Sequence, residues 1–199
     1  MTQTPTLADP GPLPLLYDQD TLRDFLKEGE GSVLNKEGLH VPYLDSSGHA
    51  TIGYGSTYYP DGKPVTMDDA PIDEATASGY LDDYVSKTEG TLRNIPAIQR
   101  LNPNQQAAIM SFAYNLGNNF YGDMENFGII TRAINSGNSQ RITEALKLYV
   151  HDANGRNEGL VNRRNAEINL FKTPYVPPTI EELREQAKTA KPDPNRYEY

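Results

Sequence analysis

The sequence predicts an α+β chain: a small antiparallel-sheet lobe, then a helical lobe, the two joined by one long helix. Three observations carry that prediction. Residues 39–58 are rich in β-branched and aromatic side chains, broken by Ser46-Ser47-Gly48 and Gly53-Tyr54-Gly55, the pattern of short strands with tight turns. From Asp73 the apolar spacing changes to that of a helix and holds to Leu92. Beyond Asn102 the spacing stays helical, with Gly117, Gly137 and Pro174 as punctuation.

Taken in order, residues 1–16 hold four prolines and no periodicity, and read as an extension. A short helix follows from Thr21 to Gly29, with Leu22 and Leu26 one turn apart. In the long helix Ala77, Leu81, Tyr84, Val85, Thr88 and Leu92 form one stripe. The next helix has Asn102 as its cap, Pro103 at the first position and Gly117 as its stop, with Ile109, Phe112, Ala113 and Leu116 on one face. Two shorter helices carry Phe127, Ile130 and Ile134, then Ile142, Ala145, Leu146 and Tyr149. A last one runs from Leu160 to Phe171. Residues 174–199 hold five prolines around a polar helix from Thr179 to Ala190. The folded unit is therefore expected at 17–173, between extensions at 1–16 and 174–199.

Composition removes several classes of function. With no cysteine among 199 residues there is no disulfide, thiolate metal site or cysteine nucleophile. Three scattered histidines, His40, His49 and His151, leave little for a metal site, so neither metal nor other cofactor is expected. A net charge of −9 suits nucleic acid poorly as a partner. No run approaches the roughly 18–20 apolar residues of a membrane span, and the first twenty residues lack the basic start of a secretory signal.

Candidate chemistry concentrates between the first helix and the sheet. Glu30 stands at the helix end, Asp45 at a strand-to-turn corner and Thr51 six residues later. Across the turn, Asp45 and Thr51 are expected to face each other on paired strands. Two carboxyls and a hydroxyl in a cleft suit hydrolysis: one carboxyl protonates a leaving oxygen, the other orients water or stabilises positive charge. Each residue also has a plainer reading: Asp45 as a turn residue, Thr51 as a strand former, Glu30 as a solvated acid.

The stretches FLKEGEG and PYLDSSGHATIGYGST, then LNPNQQAAIMSFAYNLGNNF, then GLVNRRNAEINLF resemble the phage-type lysozymes or endolysins of glycoside hydrolase family 24. The motifs come in the family's order and cover the folded unit. The resemblance implies a lysozyme-like, two-lobed fold with the cleft between lobes, and a Glu–Asp–Thr set that falls on Glu30, Asp45 and Thr51. The Asp-to-Thr spacing matches the family's, whereas Glu30 and Asp45 lie farther apart than the family's pair. Glu37 therefore competes for the acid's place. The amphipathic helix carrying Leu22 and Leu26 favours Glu30, and residues 32–41 then read as an insertion in a cleft-side loop.

The resemblance also puts Tyr114 and Asn115 on the saccharide groove and Arg163 near the catalytic Glu. An Arg163–Glu167 pair on a solvated helix face is the plainer alternative. The implied activity is cleavage of the β-1,4 bond between N-acetylmuramic acid and N-acetylglucosamine in peptidoglycan, with inversion. The alternative is a virion-associated structural or wall-binding protein of the same fold, its extensions docking virion proteins. A free enzyme of this kind would wait in the host cytoplasm before release to the wall.

Overall fold

In the computed structural model, residues 15–45 and 48–189 are described. Residues 1–14 of the first extension, Ser46-Ser47 of the hairpin turn and residues 190–199, including the expected helix end at Ala190, lie outside them. The architecture is the two-lobed one expected. Helix α1 (Gln19–Glu30) starts where the Asp18 side chain accepts from the Thr21 N–H, and it buries Leu22 and Leu26. A short antiparallel hairpin follows, β1 (Tyr43–Leu44) and β2 (Ala50–Thr51). Isolated bridges at Leu34–His40 and His40–Ile72 tie the loop after α1 to the segment before the long helix.

Helix α2 (Glu74–Leu92) begins at the Asp73 cap and buries Ala77, Leu81, Thr88 and Leu92. Tyr84 was expected on that buried stripe, but its ring is 37% exposed. It sits at the edge of the stripe, where the helix turns from the core toward the cleft. One turn, α3 (Pro96–Gln99), leads to α4 (Pro103–Leu116), which opens with a full capping box between Asn102 and Gln105 and stops at Gly117. The sequence gives α4 one apolar face, yet residues 106–113 are all buried. This helix is the axis of the core, wrapped on every side, so it has no solvent face to reveal.

Helices α5 (Gly128–Ser136) and α6 (Ser139–Leu146) pack on each other, a polar hairpin of β3 (His151–Asp152) and β4 (Gly155–Arg156) follows, and α7 (Glu158–Lys172) packs along α4. The Phe112 ring stands edge-on to Phe120 and to Tyr149, each 5.2 Å between centroids. The core includes Leu15 and Tyr17, and the Leu16 N–H donates to Gln106 Oε1 at 2.6 Å. After α7, Thr173 and Pro174 carbonyls accept from Asn104, and α8 (Ile180–Thr189) follows. Among the described residues no helix is long and apolar enough to cross a membrane.

Candidate active site

Glu30 is the last residue of α1, and Gly31 takes φ +65°, a backbone conformation that favours glycine and ends the helix there. The Glu30 side chain is only 17% exposed and pairs with the Arg163 guanidinium from α7. Arg163 is itself fixed. Its Nη2 donates to the Ser111 carbonyl at 3.1 Å and to Ser111 Oγ at 3.2 Å, and its Nε donates to Glu167 Oε1 at 3.3 Å. Both predicted relations of Arg163 thus hold together: it meets Glu30 and Glu167, and the Glu167 pair is buried rather than solvated.

Behind that cation lies a second one. Arg164 is 1% exposed, lies over the Phe112 ring at 4.8 Å, and donates from Nη2 to Glu167 Oε1 and to Asn115 Oδ1. Its Nε and Glu167 Oε2 are 2.9 Å apart without the alignment of a hydrogen bond, an ion contact alone. Ser111 Oγ donates to Glu167 at 2.8 Å. Burial pulls the Arg164 pKa down to about 10 against the Glu167 charge. Consecutive residues of α7 therefore point one guanidinium at the cleft and one into the core, with one carboxylate between them. Asn115, expected on the groove, turns to Arg164 instead.

On the hairpin, the register sets Thr51 opposite Tyr43, not opposite Asp45. Asp45 lies two residues beyond Tyr43, on the same face of the ribbon, where it exchanges hydrogen bonds with His49: Asp45 N–H to the His49 carbonyl at 3.0 Å, His49 N–H to Asp45 Oδ1 at 2.8 Å. The buried Thr51 hydroxyl donates to that same carbonyl at 3.0 Å. Tyr43, absent from the expected set, belongs to this face. Burial first, and then the charges of Glu30 and Asp45, raise its phenol pKa, so the ring lies within the field of both carboxyls. Glu37 lies apart, exposed on the 35–38 turn beside Asn35.

Tyr114 closes the cleft floor. Its hydroxyl donates to the Tyr54 carbonyl at 2.5 Å, linking α4 to the sheet lobe, and its ring meets Tyr84 edge-on at 4.7 Å. Gly55 takes φ +88°, and a Cβ there would lie 3.0 Å from Glu30 Oε2. From Gly55 and Tyr114 a hollow of about 340 Å³ opens between the 55–60 loop and α2. A separate network braces the lobe: Glu74 accepts from Lys27, His40, Tyr54 and Ser78, joining α1, the loop, the sheet lobe and α2.

An acid clamped by a cation, sharing the Tyr43 phenol's surroundings with a hairpin carboxylate and close to Gly55 at the end of an aromatic groove, is a hydrolytic arrangement. The phage lysozyme family model matches residues 35–167. The chain belongs to the phage lysozyme family. The match begins five residues beyond Glu30 and includes Glu37, Asp45 and Thr51. The endolysin of Escherichia coli O157:H7 phage FAHEc1 is similar at 28% identity, covering 82% of this chain and 97% of that one, with a TM-score of 0.63. A mutant of P22 lysozyme is similar at 27% identity over 79% and 99%, with a TM-score of 0.59. The muramidase domain of SpmX from Asticaccaulis excentricus shares the fold at 24% identity over 80% and 100%, with a TM-score of 0.57. No curated protein sequence matches the chain. Within this phage lysozyme the residues that sequence reasoning missed are Tyr43 and Arg164. The alternation rule, which puts residues 43 and 45 on one face, is the signal that points to Tyr43.

Proposed function

We propose that this protein hydrolyses peptidoglycan as a muramidase, at the β-1,4 bond from N-acetylmuramic acid to N-acetylglucosamine. The observation that carries this reading is the half-buried Glu30–Arg163 pair, with the Tyr43 phenol of the hairpin in the field of both Glu30 and Asp45. Glu30 is the general acid on the glycosidic oxygen; Arg163 orients it. Asp45 and Thr51 position and activate the water, and Tyr114 lines the groove. Family membership and the phage endolysin and lysozyme neighbours support the same substrate. The enzyme waits in the host cytoplasm until release to the wall, unless residues 1–16 and 174–199 dock it on a virion; assaying purified virions for the activity separates the two.

The test is release of reducing ends from isolated peptidoglycan. Glu30→Gln should lose about 10²–10⁴ in rate while melting as the wild type does, and Glu37→Gln should keep full activity. Full activity in Glu30→Gln sinks the assignment. An inverted anomer in the first product would fit two carboxyls roughly 6.5–9.5 Å apart.

A further inference from the structure

Helix α2 is two-faced. Ala77, Leu81, Thr88 and Leu92 point into the core, while Tyr80, Asp83, Tyr84 and Lys87, spaced i, i+3, i+4 and i+7, line the hollow. The opposite wall is Tyr58 and Tyr59 on the 55–60 loop. Tyr58 leaves 63% of its surface in water. The other rings are braced: Tyr59 stands edge-on to Tyr80 at 5.8 Å and donates to Asp69 at 2.8 Å, and Tyr84 stands edge-on to Tyr114. Aromatic faces held this way around an open hollow are suited to the apolar C–H faces of sugar rings.

The charge here is unusual for its setting. Helix α2 carries four acidic side chains and a single basic one, Lys87. Arg23, Lys27 and Lys63 in this part of the chain each sit in an ion pair. Lys87 is in none among the described residues, although Asp83 lies one turn away. An exposed ammonium on a groove wall, with no carboxylate of its own, is free to take one from a ligand.

We propose that this stretch of the cleft is a subsite for a muramyl residue, the tyrosines stacking on its ring and Lys87 taking the carboxylate carried on its lactyl or peptide branch. The proposal rests on the muramidase reading and adds to it a discrimination: plain N-acetylglucosamine oligomers offer the ring faces but no carboxylate. Asp83, beside Lys87, would accept from a hydroxyl or amide N–H of the same residue.

Equilibrium binding to Glu30→Gln protein tests it with two tetrasaccharides. One is alternating N-acetylglucosamine–N-acetylmuramic acid with free lactyl carboxylates; the other is chitotetraose. Lys87→Met should weaken the muramyl ligand about three- to fivefold, the scale of an exposed ion pair, and leave chitotetraose unchanged. Tyr58→Ala should weaken both. Equal losses for both ligands in Lys87→Met, no loss for either, or Tyr58→Ala binding both as tightly as its parent would overturn the subsite. Hydrolysis surviving in Glu30→Gln would instead overturn the catalytic reading, so the two failures are distinct.

Discussion

Gly55 leaves the space that Glu30 occupies: a single added carbon would sit 3.0 Å from Glu30 Oε2 and 3.7 Å from the Tyr114 hydroxyl. The close approach and the φ of +88° both require glycine at this position. Gly55→Ala should cost about 1–2 kcal/mol in stability from the left-handed backbone. It should cost more in activity, about 10²-fold, because the displaced group is the acid itself. Urea melts beside a wall-hydrolysis assay read both effects, and a stability loss with unchanged rate would contradict this reading of the contact.

Arg163→Lys keeps the charge and loses the fork. A single ammonium cannot reach Ser111, Glu167 and Glu30 together as the planar guanidinium does. The expected outcome is a fall in kcat of about 10- to 10²-fold with KM little changed, since Arg163 orients the acid rather than the sugar. A change confined to KM would move Arg163 to the substrate.

Glu167→Gln removes the carboxylate that Arg164 and Arg163 share. Arg164 would remain in the core with an uncompensated charge, at a cost of about 3–5 kcal/mol. Urea unfolding measures that loss directly. The rate should fall as well, because Arg163 loses its rear contact.

Glu74 gives a pH signature. Burial would raise its carboxyl pKa, but the donors Lys27, His40, Tyr54 and Ser78 overcome this and hold it down at about 2. A carboxyl depressed in the folded state stabilises fully above its ordinary value of 4.5, and that contribution is lost as pH falls toward about 2. Wild type should therefore exceed Glu74→Gln in urea midpoint by a constant margin at neutral pH. The margin should close between about pH 4.5 and 2. A margin unchanged across that range would mean that Glu74 acts by packing alone.

Much of this molecule could be read from local signals. The Asp73 and Asn102 caps, Pro103, Gly117 and Gly137 mark helix ends through backbone chemistry that neighbours cannot alter. What the sequence could not supply is what depends on register or on distant partners. Thr51 pairs with Tyr43 because the hairpin closes through Asp45 and His49, a choice that the composition of the turn leaves open. The β3–β4 hairpin is two polar residues per strand, too short to show alternation, although Asn154-Gly155 marks its turn. Tyr84 has the spacing of the core stripe, but its ring stands against Tyr114 at the hollow, a partner that local spacing does not reveal. Glu167 looked like a solvated helix acid because nothing local shows that α4 covers it.

The clamp on the acid spans 133 residues of chain, from the first helix to α7. During synthesis the ribosome therefore releases Glu30 long before the guanidinium that orients it. Chains halted between the end of α4 at Leu116 and the start of α7 at Glu158 carry the acid, the hairpin and the aromatic groove, yet lack the cation and the α7 surface against which α4 packs. Such truncated chains would lack the clamp on Glu30, and the complete site would arise in one late step as α7 docks.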